Sequence, residues 1–154
     1  MQLSRLGLVA LLLGLLSMLH LPAATDADSP ADVVRALFHS AQLHFGFSPE
    51  SVKAAKPWVT PKLYARMWKK VNEPVPKGDA PDIEGDLFLN SQDPPDKFEI
   101  GDTPIDHATA QVAVTLVWPS EKRKETVLLE QIDGVWKVND VDYGKDGKLS
   151  DLLH

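Results

Sequence analysis

The spacing of apolar residues changes once along this chain, and that change constrains the fold more than any other feature. Between residues 30 and 71, apolar side chains recur every three or four positions, as they do on one face of a helix. After Lys97 they recur at every second position, most clearly from Ala108 to Trp118, as in a strand with one buried face. Helices followed by strands predict the α+β class.

Three short helices are predicted in the first half of the chain. Each begins with a hydroxyl residue followed by proline, because Ser or Thr caps the first turn and proline fits the first helical position. These pairs are Ser29-Pro30, Ser48-Pro49 and Thr60-Pro61. Gly46 is expected to end the first helix and Pro57 the second.

The second half predicts an antiparallel sheet. Residues 125–132 and 135–143 flank Asp133-Gly134, a dipeptide that favours a tight hairpin turn. Phe98 and Ile100 open a shorter strand, and residues 148–153 form a closing helical turn. The predicted state is a monomer, or a homodimer formed through an exposed sheet face. Three apolar residues are expected on that face: Val117, Val127 and Leu129.

Residues 1–25 have the pattern of a secretory signal peptide. Arg5 precedes an apolar run, and small residues around Ala23-Ala24 follow it. The run is shorter than the roughly 20 apolar residues of a membrane-spanning helix, although an uncleaved N-terminal anchor stays an alternative. The chain has no cysteine, which excludes a lipoprotein anchor, a disulfide and a thiolate metal site. We therefore predict a periplasmic or secreted protein with one α+β domain at residues 26–154.

Charge limits the classes of partner. The net charge is −6, and removal of the leader takes away only Arg5, leaving −7. An acidic chain without a basic stripe is repelled by nucleic acid and by anionic membrane surfaces. It is compatible with a basic protein partner.

Residues 72–97, called the acidic segment below, separate the helices from the strands. The segment contains five prolines and seven acidic residues, with a single apolar cluster at Leu87-Phe88-Leu89. A loop of this length in a compact domain is either functional or fixed by such a cluster. Two interpretations stay open: Leu87 or Phe88 is an exposed anchor for a partner, or both fill the core while the acids stay solvated.

Three stretches carry a family resemblance: residues 30–46, the sequence Glu84-Gly85-Asp86-Leu87-Phe88-Leu89-Asn90-Ser91-Gln92-Asp93, and the ending Gly134-Val135-Trp136-Lys137-Val138-Asn139-Asp140-Val141. Together they resemble small exported bacterial domains of unknown function with a cystatin-like, or nuclear transport factor 2-like, fold. The resemblance implies N-terminal helices packed on a bent antiparallel sheet, or cone. It implies no established activity, because this fold carries enzymes, ligand binders and partner-binding modules alike.

The candidate residues for binding a ligand or partner come from the acidic segment, together with one tryptophan at a helix junction. They are Glu84, Asp86, Leu87, Phe88, Gln92, Asp93 and Trp58. No catalytic residue, metal site or cofactor is predicted. The acidic turn after Asp142 departs from a calcium loop, because Gly144 and Leu153 stand where ligands are required.

Three functions follow from these observations. The favoured one is a soluble periplasmic, non-enzymatic protein-binding module, such as an inhibitor or an immunity-type protein. The first alternative is a binder of a small apolar ligand inside the cone. The second is an isomerase- or hydrolase-like enzyme, which would need a carboxylate and a tyrosine facing a cavity. Its candidate residues are Glu99, Asp102, Asp140, Tyr64 and Tyr143.

Overall fold

The computed structural model describes residues 28–154, so the predicted signal peptide at 1–25 lies outside the described residues. Three helices come first: α1 (Pro30–Leu43), α2 (Pro49–Ala55) and α3 (Pro61–Val71). Five strands follow: β1 (Lys97–Ile100), β2 (Ile105–Asp106), β3 (Thr109–Val117), β4 (Lys122–Ile132) and β5 (Val135–Asp142). Two 3₁₀ turns, Gly144–Asp146 and Leu149–Leu152, close the chain. The α+β prediction is confirmed.

The predicted helix starts are confirmed by their caps. The side-chain oxygens of Ser29, Ser48 and Thr60 accept hydrogen bonds from backbone N–H groups in the first turn, at 3.1–3.2 Å. The first helix ends at Leu43 rather than at Gly46, with His44 as its C-cap, and the Gly46 N–H donates to the Asp86 carboxylate. In residues 28–154, no helix is long and apolar enough to cross a membrane.

The five strands form one antiparallel sheet. β1 and β2 pair with different parts of one edge of β3, and β4 and β5 follow on its other side. The hairpin turn lies where the sequence predicts it, with positive φ at Asp133 (51°) and Gly134 (80°). A register shift between Leu128 and Leu129 leaves Asn139 of β5 without an opposite residue, which is a β-bulge.

A short extended segment joins the helices to the sheet. Val59, between α2 and α3, forms a parallel bridge with Val138 of β5. The Thr60 N–H donates to the Val138 carbonyl and the Val138 N–H to the Trp58 carbonyl, both at 2.8 Å. This pairing covers part of the outer edge of β5 and limits its ability to pair with another chain.

One face of the sheet packs against the helices. Val112, Val127 and Val141 are aligned across β3, β4 and β5 and are fully buried. The expectation that Val127 and Leu129 lie on an exposed sheet face is wrong, because alternation along β4 turns both side chains toward the core. Val117 is half-buried. Two of the three residues predicted to form a dimer interface are therefore buried within the protein.

Candidate functional site

The apolar cluster of the acidic segment lies in the core of the protein. Leu87, Phe88 and Leu89 are only 4%, 6% and 0% exposed. They belong to residues 84–92, called the anchor loop below, whose base is closed where the Asp86 N–H donates to the Ser91 carbonyl at 2.8 Å. Gly85 has a φ of +87°, and a Cβ built there would lie 2.1 Å from the Ser91 oxygen. Glycine is thus required for this close approach.

A buried carboxylate organises the anchor loop from within. Asp86 accepts hydrogen bonds from the N–H groups of Phe88 and Leu89, at 2.8 and 3.0 Å, and from that of Gly46 at 3.3 Å. Burial raises the pKa of Asp86 to about 6, while the three hydrogen bonds act in the opposite direction. The same carboxylate shapes the loop and ties it to the end of α1.

Two side chains, one on β4 and one directly after β5, hold the carbonyl groups of the anchor loop. The Tyr143 hydroxyl donates to the Leu87 carbonyl, and burial raises the pKa of this phenol. The Arg123 guanidinium donates to the Asn90 carbonyl at 2.8 Å and to that of Leu89 at 3.4 Å. It also lies 4.4 Å from the centre of the Trp118 ring, a cation–π contact. The anchor loop is therefore fixed to β4 and β5 as well as to α1.

We expect Tyr143→Phe to lower the free energy of unfolding by about 1–2 kcal/mol, because the buried Leu87 carbonyl loses its donor. The matched control is Tyr64→Phe, at the chain's other tyrosine, whose hydroxyl has no hydrogen-bond partner among residues 28–154. Urea unfolding of both variants measures the difference. Equal stabilities would show that the Tyr143 hydroxyl does not hold the loop.

Glu125 is the main feature that sequence reasoning missed. Its side chain is 8% exposed, and its Oε1 atom has no hydrogen-bond partner in the described residues. Burial raises the pKa of Glu125 to about 8; the neighbouring Arg123 lowers it and Asp86 adds to the rise. The available clue was its position: Glu125 is in phase with Val127 and Leu129, two residues that face the core.

Glu125 and Tyr143 lie in the wall of an open pocket of about 460 Å³, called the Glu125 pocket below. Nine residues line it: Asn90, Glu121, Arg123, Lys124, Glu125, Tyr143, Gly144, Lys145 and Asp146. Asn90 has a φ of +41°, which is uncommon for a residue other than glycine. A carboxyl with a pKa near 8 is largely protonated at pH 7, and a protonated carboxyl has an O–H group that can donate a hydrogen bond.

The predicted binding residues divide into two groups. Glu84, Gln92 and Asp93 are exposed, and the Gln92 amide donates to the Glu84 carboxylate at 2.9 Å. Asp86, Leu87 and Phe88 are buried, so these three predicted residues do not lie on the surface of this fold. The alternative, in which Leu87 and Phe88 fill the core, is confirmed.

Trp58 lies apart from the acidic segment. Its side chain is half-buried, and its backbone carbonyl accepts a hydrogen bond from β5 rather than from the anchor loop. The structure therefore does not join Trp58 to Glu84, Gln92 and Asp93 through any of these contacts.

The residues proposed for enzyme chemistry do not converge. Glu99 is exposed and forms an ion pair with Lys97 at 2.7 Å, and Asp102 is exposed. Asp140 accepts a hydrogen bond from the Ser150 hydroxyl at 2.7 Å. Of the five proposed residues, only Tyr143 lines the Glu125 pocket.

Comparison of the chain with protein-family models, with curated proteins and with solved structures finds no match.

Proposed function

We propose that this protein is a soluble, exported, non-enzymatic binding module that recognises a basic protein partner through the acidic segment. We further propose that it is a cystatin-like exported domain of the kind its sequence resembles, and that it acts as an inhibitor or immunity-type protein in the periplasm. The observation that carries the binding proposal is that the acidic segment combines exposed carboxylates with a buried centre. Six of its seven carboxylates are exposed, while Asp86 and the apolar cluster fix its centre in the core.

The acidic segment is held at several points on either side of the anchor loop. Near its start, the Lys70 ammonium pairs with Glu73 at 3.0 Å and with Asp82 at 2.9 Å. Near its end, the Gln42 amide donates to the Pro95 carbonyl at 3.2 Å, and the Trp118 indole to that of Asp93 at 3.2 Å. A segment that is already ordered loses less conformational entropy when it binds.

Several of the exposed carboxylates are available to a partner. Asp79, Glu84, Asp93 and Asp96 form no ion pair within residues 28–154. With a net charge of −6, the protein also attracts a basic partner at long range, which speeds encounter more than it strengthens the final complex. Binding of this kind weakens as salt rises.

The other two functions have less support from the geometry. The gap between the helices and the anchor loop, lined by Ala41, Met67 and Phe88 among others, measures about 10 Å³, which is room for one water rather than for an apolar ligand. An enzyme would use the Glu125 pocket. There the Tyr143 hydroxyl already donates to the Leu87 carbonyl, so its proton is not directed at the pocket as the expected carboxylate–tyrosine pair would need.

The test neutralises exposed acids of the segment. The full chain carrying Glu84→Gln, Asp93→Asn and Asp96→Asn is purified from the exported fraction and used for affinity capture from periplasmic extract. We expect the native chain to retain a basic protein at about one-to-one stoichiometry, and the triple variant to lose at least about tenfold of it. Raising salt from about 0.05 M to 0.5 M should release the same protein.

A second triple variant controls for net charge. Asp102→Asn, Asp106→Asn and Glu130→Gln also remove three negative charges, from residues outside the acidic segment. This variant should retain the partner. If the native chain and both variants retain the same proteins in the same amounts, the acidic segment is not the binding surface.

A further inference from the structure

Two residues of β4 each have a buried polar side-chain atom without a hydrogen-bond partner. Among residues 28–154, the side-chain atoms with this property are Arg123 Nε and Glu125 Oε1, and both residues line the Glu125 pocket. A buried polar atom left unpaired costs about 1–3 kcal/mol, so such atoms usually have a functional reason or a bound partner. The anchor loop accounts for the two terminal nitrogens of Arg123 but engages neither of these atoms, and Arg123 Nε lies 3.9 Å from the Glu121 carboxylate, beyond hydrogen-bond distance.

We propose that the Glu125 pocket binds a small monoanionic carboxylate, held against Glu125, Arg123 and Asn90. Asn90 of the acidic segment lines this site, but the exposed carboxylates proposed to bind a protein partner do not, so the site does not depend on that partner. The volume of about 460 Å³ falls within the usual range for small-ligand sites.

The charges around the pocket favour an anion. Three cations line it, Arg123, Lys124 and Lys145, against two exposed carboxylates, Glu121 and Asp146. With Glu125 protonated, the lining therefore carries a net charge of about +1, in a protein whose net charge is −6. The three cations would also repel a ligand that carries an ammonium group.

The same surroundings favour a monoanion over a dianion. Glu125 is faced by Asp86 from the anchor loop, by Tyr143 from the end of β5 and by Arg123 on its own strand. The other charged groups of the wall are Lys124 of β4, Glu121 from the β3–β4 turn, and Lys145 and Asp146 from the first 3₁₀ turn. A second negative charge on the ligand would be repelled by Asp86, Glu121 and Asp146.

Protonation of Glu125 connects ligand binding to pH. The protonated carboxyl donates a hydrogen bond to a carboxylate, whereas the ionised form repels it. With a pKa of about 8, the protonated fraction falls from about nine-tenths at pH 7 to about one-tenth at pH 9. Affinity for a carboxylate should therefore fall about tenfold over this interval.

The experiment titrates the full-length chain, ¹⁵N-labelled and purified from the exported fraction, with acetate while amide shifts are recorded. We expect saturable shifts of the Asn90 and Gly144 amides with a Kd in the millimolar range, about tenfold weaker at pH 9 than at pH 7. Sodium phosphate and methylammonium chloride are the comparison ions. Both should bind more weakly than acetate at pH 7.

Three variants make the test specific. Glu125→Gln keeps a donor without a titrating proton, so acetate should bind equally at pH 7 and pH 9. Lys145→Gln should weaken acetate binding at least about threefold, whereas Lys69→Gln, an exposed cation on α3, should not. The triple variant of the acidic segment should bind acetate as the native chain does, which separates this proposal from the proposed function.

The proposal fails if acetate causes no saturable shift up to about 100 mM, since even a weak carboxylate site would fill by then. It also fails if methylammonium or phosphate binds more tightly than acetate, or if Glu125→Gln keeps the pH dependence of the native chain. The proposal is supported if acetate affinity changes about tenfold between pH 7 and pH 9 in the native chain but stays constant in Glu125→Gln.

Discussion

Replacement of Gly85 with alanine is expected to lower the free energy of unfolding by more than about 3 kcal/mol. A Cβ at this position would lie 2.1 Å from the Ser91 oxygen and 2.7 Å from the Ser91 carbonyl carbon, which are backbone atoms that cannot rotate away. The base of the anchor loop would have to open. Opening would remove Leu87, Phe88 and Leu89 from the core and expose the three N–H groups that Asp86 binds.

Gly78→Ala is the matched control for this change. Gly78 has a φ of +101°, but a Cβ there would meet no atom within 4 Å. Its substitution therefore measures the cost of the backbone conformation alone, about 1 kcal/mol. Urea unfolding followed by tryptophan fluorescence gives both values. A Gly85→Ala variant as stable as Gly78→Ala would mean that the close contact with Ser91 is absent in solution.

Glu125→Gln is expected to stabilise the protein at alkaline pH and to flatten its pH dependence. Burial raises the pKa of Glu125 to about 8, from an ordinary value of 4.5, so the folded chain holds this proton more tightly than the unfolded chain. The associated stability is fully present below about pH 4.5 and is lost as pH rises toward 8. Asp86, with its pKa raised to about 6, adds a further loss of stability as pH rises from about 4 to 6.

The expected effect of Glu125→Gln is a gain of about 2–3 kcal/mol at pH 9 and a loss of about 1–2 kcal/mol at pH 5. The amide avoids ionisation inside the protein, but its extra N–H is buried and reduces the gain. Glu130→Gln, on the same strand at a half-exposed position, is the control and should leave the stability unchanged. Urea unfolding at pH 5, 7 and 9 measures the three proteins. Parallel pH curves for the native chain and Glu125→Gln would contradict the assignment.

Local signals in the sequence account for most of the secondary structure. The hydroxyl–proline pairs at Ser29, Ser48 and Thr60 act within one helical turn, and the Asp133-Gly134 turn acts between adjacent residues. The alternation of buried and more exposed residues along β3 can also be predicted from the residues of that strand alone. Such features are readable because the interactions that decide them span only a few residues.

The candidate site was predicted less well because distant residues decide it. Nothing near Leu87 and Phe88 in the sequence says whether the cluster packs inward; that depends on Gly46, Arg123 and Tyr143, which lie far along the chain. The sequence predicts a strand over residues 125–132, with Glu125 at its start. The strand begins at Lys122 instead, which puts Glu125 inside the sheet, where alternation turns it toward the core.

Because the base of the anchor loop is closed, sequence changes before the loop and sequence changes inside it have different effects on the core. The hydrogen bonds between Asp86 and Ser91 hold residues 86–91 as a unit, whatever the length of the chain that leads to them. Residues 75–80 before it are all exposed, so an insertion there adds only a small closure entropy, a few tenths of a kcal/mol per added residue or less. Insertions, deletions and charge changes in 75–80 can therefore accumulate while the core stays intact, which makes this stretch the natural position for engineering a new binding specificity into the scaffold.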